Sequence, residues 1–174
     1  IVNISSIGGK VAVPHLLPYA VSKFALLGYS EGLRMELLRD KVYVTSVCPG
    51  LMRTGSHVNA QFKGQNEKEF AWFSIGDSMP FLSADGNSAA KQIVEACRRG
   101  DPELIITLPA QILSKLNGIF PGAVTDIMGQ VNKILPTYGG IGKEQVSGKE
   151  SASELSPSVL TALADAASVK NNEV

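Results

Sequence analysis

Val42-Tyr43-Val44-Thr45-Ser46-Val47, closed by Cys48-Pro49-Gly50, is a nearly unbroken run of β-branched and aromatic residues. Such residues suit a pleated strand. Apolar side chains at successive rather than alternate positions mark a strand covered on both faces, as the central strands of parallel sheets are. Upstream, a helical pattern runs from about Pro18 to Leu38, with Pro18 in the first turn, where its missing N–H costs nothing. Ala20, Val21, Phe24, Ala25, Leu26, Leu27, Leu33, Met35 and Leu37 make this helix apolar on more than one side. That pattern predicts burial on two faces, against a sheet and against a partner. Farther upstream, Ile1-Val2-Asn3-Ile4 reads as a short buried strand and Ser5-Ser6-Ile7-Gly8-Gly9 as the turn that leaves it. Strand, helix, strand in this order is a βαβ unit, so the expected fold class is α/β.

Beyond Gly50 an irregular segment leads to about Phe81, and an amphipathic helix is expected over roughly 86–99. Leu104-Ile105-Ile106-Thr107 reads as a third strand, followed by helices near 109–118 and 122–134 separated by Phe120-Pro121-Gly122. From Gly139 the composition shifts to Gly, Ser, Lys and Glu, which predicts a polar, flexible tail over 139–174. Ser156-Pro157 followed by Val159, Leu160 and Leu163 predicts one short helix within it. A chain that opens inside a strand, on Ile1 and without Met, reads as part of something longer.

Composition narrows the function classes. In 174 residues, 44% are hydrophobic and 18% charged, as in an ordinary globular domain. Sixteen basic residues balance sixteen acidic ones, so no field steers the chain toward nucleic acid or an anionic membrane. The apolar stretch from Leu108 to Leu135 is punctuated by Gln111, Lys115, Asn117, Asp126 and Gln130, and no membrane partner is expected. Cys48 and Cys97 are too few for a disulfide framework, and a reducing, cytoplasmic setting is the plain reading. His15 and His57 lack a second ligand at metal spacing, so no metal site is expected.

The chemistry-bearing element is Tyr19-Ala20-Val21-Ser22-Lys23, thirteen residues after Ser6. Positions i and i+4 of a helix share a face, so Lys23 projects beside Tyr19. A neighbouring ammonium favours a phenolate over a phenol. A phenol so placed can give or take a proton as hydride reaches or leaves a carbonyl carbon. A serine at the end of the preceding strand could hold the substrate oxygen by a hydrogen bond. Singly, each piece has an ordinary explanation: helical neighbours for the pair, turn chemistry for Ser5-Ser6 and a strand-ending turn for Pro49-Gly50.

Together the pieces carry a resemblance. Ile-Val-Asn-Ile-Ser-Ser at 1–6, Tyr-Ala-Val-Ser-Lys at 19–23 and Val-Cys-Pro-Gly-Leu-Met-Arg-Thr at 47–54 resemble, in order and spacing, the short-chain dehydrogenase/reductase family. The resemblance covers roughly residues 1–135. It implies the C-terminal part of a Rossmann-like, doubly wound parallel sheet whose N-terminal strands are missing. Residues 1–138 would be the C-terminal half of that domain, with a substrate lid at about 55–82. The family's spacing selects Ser6 over Ser5, and it makes Ser6, Tyr19 and Lys23 the catalytic set. It implies NAD or NADP as cofactor, held by Tyr19 and Lys23, by the backbone around Val47, Pro49 and Gly50, and by Thr54. It also implies a homodimer or homotetramer when intact.

Phe62, Phe70, Trp72, Phe73, Met79 and Phe81 gather in the lid segment. They imply an apolar ketone, aldehyde or secondary alcohol as substrate, unless they build a small local core. The family's glycine-rich phosphate loop, its Asn-Asn-Ala-Gly segment and the asparagine of its catalytic tetrad are not among these residues. The expectation is therefore an NAD(P)-dependent oxidoreductase that is inactive as this isolated fragment. A non-catalytic, nucleotide-binding sensor or scaffold is the alternative, disfavoured by retention of Ser6, Tyr19 and Lys23.

Overall fold

A computed structural model describes all 174 residues. In chain order it contains strands β1 (Val2–Ile4), β2 (Thr45–Pro49), β3 (Leu51–Arg53), β4 (Gln61–Phe62), β5 (Ser83–Asp85), β6 (Glu103–Ile106) and β7 (Val146–Ser147). The helices are α1 (Leu17–Leu37), α2 (Asn66–Ser78), α3 (Gly86–Arg99), α4 (Leu108–Ile119), α5 (Pro121–Asn132) and α6 (Ala162–Lys170). No helix is long and apolar enough to cross a membrane. The chain divides into two compact units, residues 1–50 with 87–133 and residues 51–86 with 134–174.

The first unit is built on a parallel three-stranded sheet in the order β1-β2-β6, and this α/β arrangement is consistent with a Rossmann-like fold. The register places Ile4 beside Val47 and Pro49 beside Ile106. As the unbroken β-branched run predicts, β2 is the central strand, and every residue from Val44 to Cys48 is buried. The strand itself begins at Thr45, three residues later than the apolar run, because Val42 and Tyr43 stay exposed in the turn after α1. Val44, Val47 and Ile106 are fully buried. Each contributes about 1.5–3 kcal/mol relative to an exposed position.

One expectation for this unit changes in the structure. The strand at the N-terminus is not fully buried: β1 pairs on one side only, and Ile1 and Ile4 are exposed. Within the chain, helix α1 buries one face through Ala20, Leu27 and Ser30, and Val21, Phe24, Tyr29 and Met35 lie on the face expected to meet a partner. Local pattern reports how apolar a face is, and tertiary packing decides whether anything covers it. The C-terminal end of α1 is tied down by Arg34, whose guanidinium donates to the Val44 carbonyl at 2.7 Å and the Gly100 carbonyl at 2.9 Å.

The second unit contains two small sheets, β3 parallel to β5 and β4 antiparallel to β7. The stretch from 139 onward, expected as a flexible tail, supplies β7 and α6, and α6 packs on α2. The helix forms over 162–170 rather than around Val159, and its buried residues are Ala164, Ala167 and Ser168. Small side chains of this kind allow close backbone approach but register weakly in a hydropathy reading. Gly55 shows how close that approach is: with φ +90, a Cβ there would fall 2.2 Å from the Ser168 Cα. Only glycine meets both demands.

Candidate active site

Because the strands of the first unit are parallel, their carboxyl ends share one edge, where open α/β sheets bind ligands. Ser6 follows β1 at that edge, Pro49 and Gly50 end β2, and Thr107 follows β6. Helix α1 starts there too, since it returns the chain from the end of β1 to the start of β2. Tyr19 lies in its first turn and Lys23 one turn further on.

The two adjacent serines have separate places. Ser5 is buried, and its hydroxyl donates to the Lys23 carbonyl at 3.0 Å, fastening the strand exit to α1. Ser6 is half-buried, and its Oγ accepts the Gly8 N–H at 3.0 Å. That bond occupies a lone pair and leaves the hydroxyl proton free to donate.

Gly8 links Ser6 to Tyr19. A Cβ on Gly8 would fall 3.1 Å from Cε1 of the Tyr19 ring and 3.5 Å from the Ser6 Oγ. The ring edge and the hydroxyl therefore flank one bare glycine, and a side chain at this position would crowd the ring while only touching the hydroxyl. Tyr19 is 42% exposed. The Lys23 ammonium lies 5.5 Å from the centre of the Tyr19 ring and donates to the Ile4 carbonyl at 3.3 Å. An ammonium has three donors, so this single long bond leaves it able to bind further oxygens.

Val47 is fully buried, and its carbonyl accepts the Ser5 N–H at 2.7 Å, so it braces the strand beneath the edge. The Gly50 N–H donates to the Ile106 carbonyl at 3.0 Å, which extends the β2–β6 pairing into the Pro49–Gly50 turn. Cys48 is fully buried, and burial pushes its thiol up to about 11, so it remains protonated and fills space. His15, exposed with φ +66, lies in the segment leading into α1.

Thr54 belongs to the second unit. Its Oγ1 is 2.8 Å from the Ser56 Oγ, and its carbonyl accepts from the Asn171 side chain at 2.7 Å. The aromatic residues of 57–82 divide between two situations. Phe70 is buried, with Phe62 edge-on at 5.6 Å and His57 stacked at 5.6 Å, a local core. Trp72, Met79 and Phe81 are exposed, Phe81 at 92%. Gly8 and Thr107 carried no functional signal in the sequence. One reads as turn filler and the other as a strand end, and only their contacts give them a place in the site.

Residues 1–64 match the short chain dehydrogenase family. The chain is 38% identical over 119 residues to a Mycobacterium tuberculosis protein provisionally named oxidoreductase SadH, an alignment covering 67% of this chain and 42% of that protein. It is 42% identical over 106 residues to dehydrogenase/reductase SDR family protein 7-like of Anopheles gambiae, covering 61% and 32% of the two chains. It is 30% identical over 129 residues to dehydrogenase/reductase SDR family member 7B of Danio rerio, covering 74% and 40%. The chain thus spans less than half the length of each of these curated relatives. The likeness runs through the βαβ unit that carries Ser6, Tyr19 and Lys23, and it identifies the chain as a member of the short-chain dehydrogenase/reductase family of oxidoreductase enzymes.

Proposed function

We propose that this chain supplies the proton-transfer half of an NAD(P)-dependent oxidoreductase acting on an apolar ketone, aldehyde or secondary alcohol. The single observation that carries the reading is the grouping of the Ser6 hydroxyl and the Tyr19 ring around Gly8, with the Lys23 ammonium 5.5 Å from that ring.

The donor set suits a nicotinamide dinucleotide. Lys23 retains donors for ribose hydroxyls, and the Pro49–Gly50 turn offers backbone at the carboxyl edge of the sheet. Thr54 is proposed to bond the carboxamide or the pyrophosphate. When bound, the cofactor would supply or accept the hydride at the carbonyl carbon. Ser6, its oxygen fixed by the Gly8 N–H, donates a hydrogen bond to the substrate oxygen. Tyr19 gives its proton to that oxygen as the carbonyl becomes an alcohol, and takes it back in the reverse direction. Lys23 stabilises the resulting phenolate by its charge.

The exposed Trp72, Met79 and Phe81 favour an apolar substrate. A relative from Bacteroides thetaiotaomicron, 44% identical over 70 residues, is named 3-ketodihydrosphingosine reductase, which accords with a ketone on an apolar chain. The glycine-rich phosphate loop is proposed to lie in sequence outside this chain, so that the isolated chain is inactive and the intact protein works as a homodimer or homotetramer.

The test is Tyr19→Phe in the intact protein, followed by stopped-flow hydride transfer with a panel of apolar ketones. Removing the hydroxyl should lower turnover by about 100- to 10,000-fold with little change in cofactor affinity. A loss of less than threefold would mean that Tyr19 is not the acid. A wild-type protein that binds cofactor but reduces nothing would point instead to a sensor or scaffold.

A further inference from the structure

We infer that Thr107 is a positioning residue that holds the Pro49–Gly50 turn in place, an assignment resting on the cofactor reading above and extending it to a residue outside the recognised motifs. Thr107 has φ +81 and ψ 138. For a β-branched residue a positive φ is an outlier, whereas glycine takes it freely. A threonine kept in such a conformation points to work done by its side chain, and strain of this kind gathers at functional sites.

The side chain has two contacts. Its Oγ1 accepts the Ala110 N–H at 3.4 Å and so caps the start of α4. The same oxygen lies against the backbone of Gly50: a Cβ on Gly50 would fall 2.4 Å from it, 3.1 Å from the Ala110 Cβ and 3.3 Å from the Ile106 carbonyl. On its other side Gly50 is held by the 3.0 Å bond from its N–H to Ile106, the residue next to Thr107. The turn is thus gripped between a ladder hydrogen bond and the capped first turn of α4. Capping alone would not need a threonine here, because serine, asparagine or aspartate serves as well and asparagine tolerates positive φ better. What the hydroxyl adds, in threonine or in serine, is an oxygen that caps α4 and at the same time lies against Gly50, and through it a fixed direction for the peptide groups of the turn.

The test uses the intact protein and two probes, the preferred dinucleotide (NAD or NADP) and the matching ADP-ribose or 2′-phospho-ADP-ribose, which lacks only the nicotinamide ring. Binding is followed by calorimetry for wild type, Thr107→Gly and Thr107→Ser, with melting temperature as the check on folding. Thr107→Gly relieves the backbone strain but withdraws the side chain from Gly50. It should bind the dinucleotide about tenfold more weakly, the worth of one well-placed hydrogen bond, and ADP-ribose within about twofold of wild type. Thr107→Ser keeps the oxygen against Gly50 and should restore most of the dinucleotide affinity. Equal losses for both probes, or none for either, would overturn the assignment while leaving the cofactor reading intact. A wild type that binds neither probe would overturn the cofactor reading and the Thr107 assignment with it.

Discussion

The Nε2 of His57 lies 3.7 Å from Oδ1 of Asp165, a contact that joins the segment following β3 to α6. The imidazole is 1% exposed, neither ring nitrogen has a hydrogen-bond partner, and the ring stacks on Phe70. Burial lowers its affinity for a proton, and the Asp165 carboxylate opposes that effect only in part. His57 is therefore held neutral inside the second unit, and the unfolded chain binds the proton more readily. Stability from this residue is fully present above the ordinary histidine value of 6.5 and is lost as pH falls below it. The protection of the amides of α6 and residues 56–59, measured relative to their intrinsic exchange, should fall as the pH is lowered below 6.5. His57→Phe should remove that dependence, and an unchanged profile would show that His57 does not govern it.

Asp77 works in the opposite direction. It is buried, and desolvation pushes its carboxyl up to about 7 against a hydrogen bond from the Met52 backbone. The folded state favours the protonated acid, so its contribution is complete below the ordinary value near 3.8 and is lost as pH rises through about 7. Asp77→Asn should accordingly raise stability at pH 8 by up to about 4 kcal/mol while changing little at pH 4. Urea denaturation at the two pH values checks this.

Gly8→Ala should injure the site without unfolding the chain. Its methyl would lie 3.1 Å from the Tyr19 ring edge, so the ring must give by a few tenths of an ångström. Displacing a reacting group by about 1 Å can cost about 100-fold. A shift of a few tenths of an ångström should lower kcat by about two- to fivefold in the intact protein, with cofactor affinity and melting temperature nearly unchanged. A kcat equal to that of wild type would show that the Ser6–Tyr19 spacing is not critical.

The outer face of α1 carries Val21, Phe24, Tyr29 and Met35, and nothing in this chain covers it. An apolar face of this extent is expected to meet its counterpart across a two-fold axis in the intact protein. Light scattering at micromolar concentration should report a dimer or a larger even-numbered oligomer. Phe24→Glu should shift it to monomer, and a wild type that is already monomeric would rule the interface out.

Much of the first unit was legible in the linear sequence because its signals are local. The β-branched run around Val44–Val47, the helical pattern after Pro18 and the four-residue spacing of Tyr19 and Lys23 follow from side-chain shape and helical period. They establish the central strand, the crossover helix and the helix face that Tyr19 and Lys23 share. Tertiary structure decided what depends on contacts between distant residues. It left β1 and the outer face of α1 exposed, built α6 into the second unit through Ala164, Ala167 and Ser168, and buried His57 beside Asp165. It also set Gly8 between Ser6 and Tyr19 and laid Gly50 against Thr107. Periodicity measures how apolar a face is. Burial, close approach and backbone strain exist only once the chain has returned on itself.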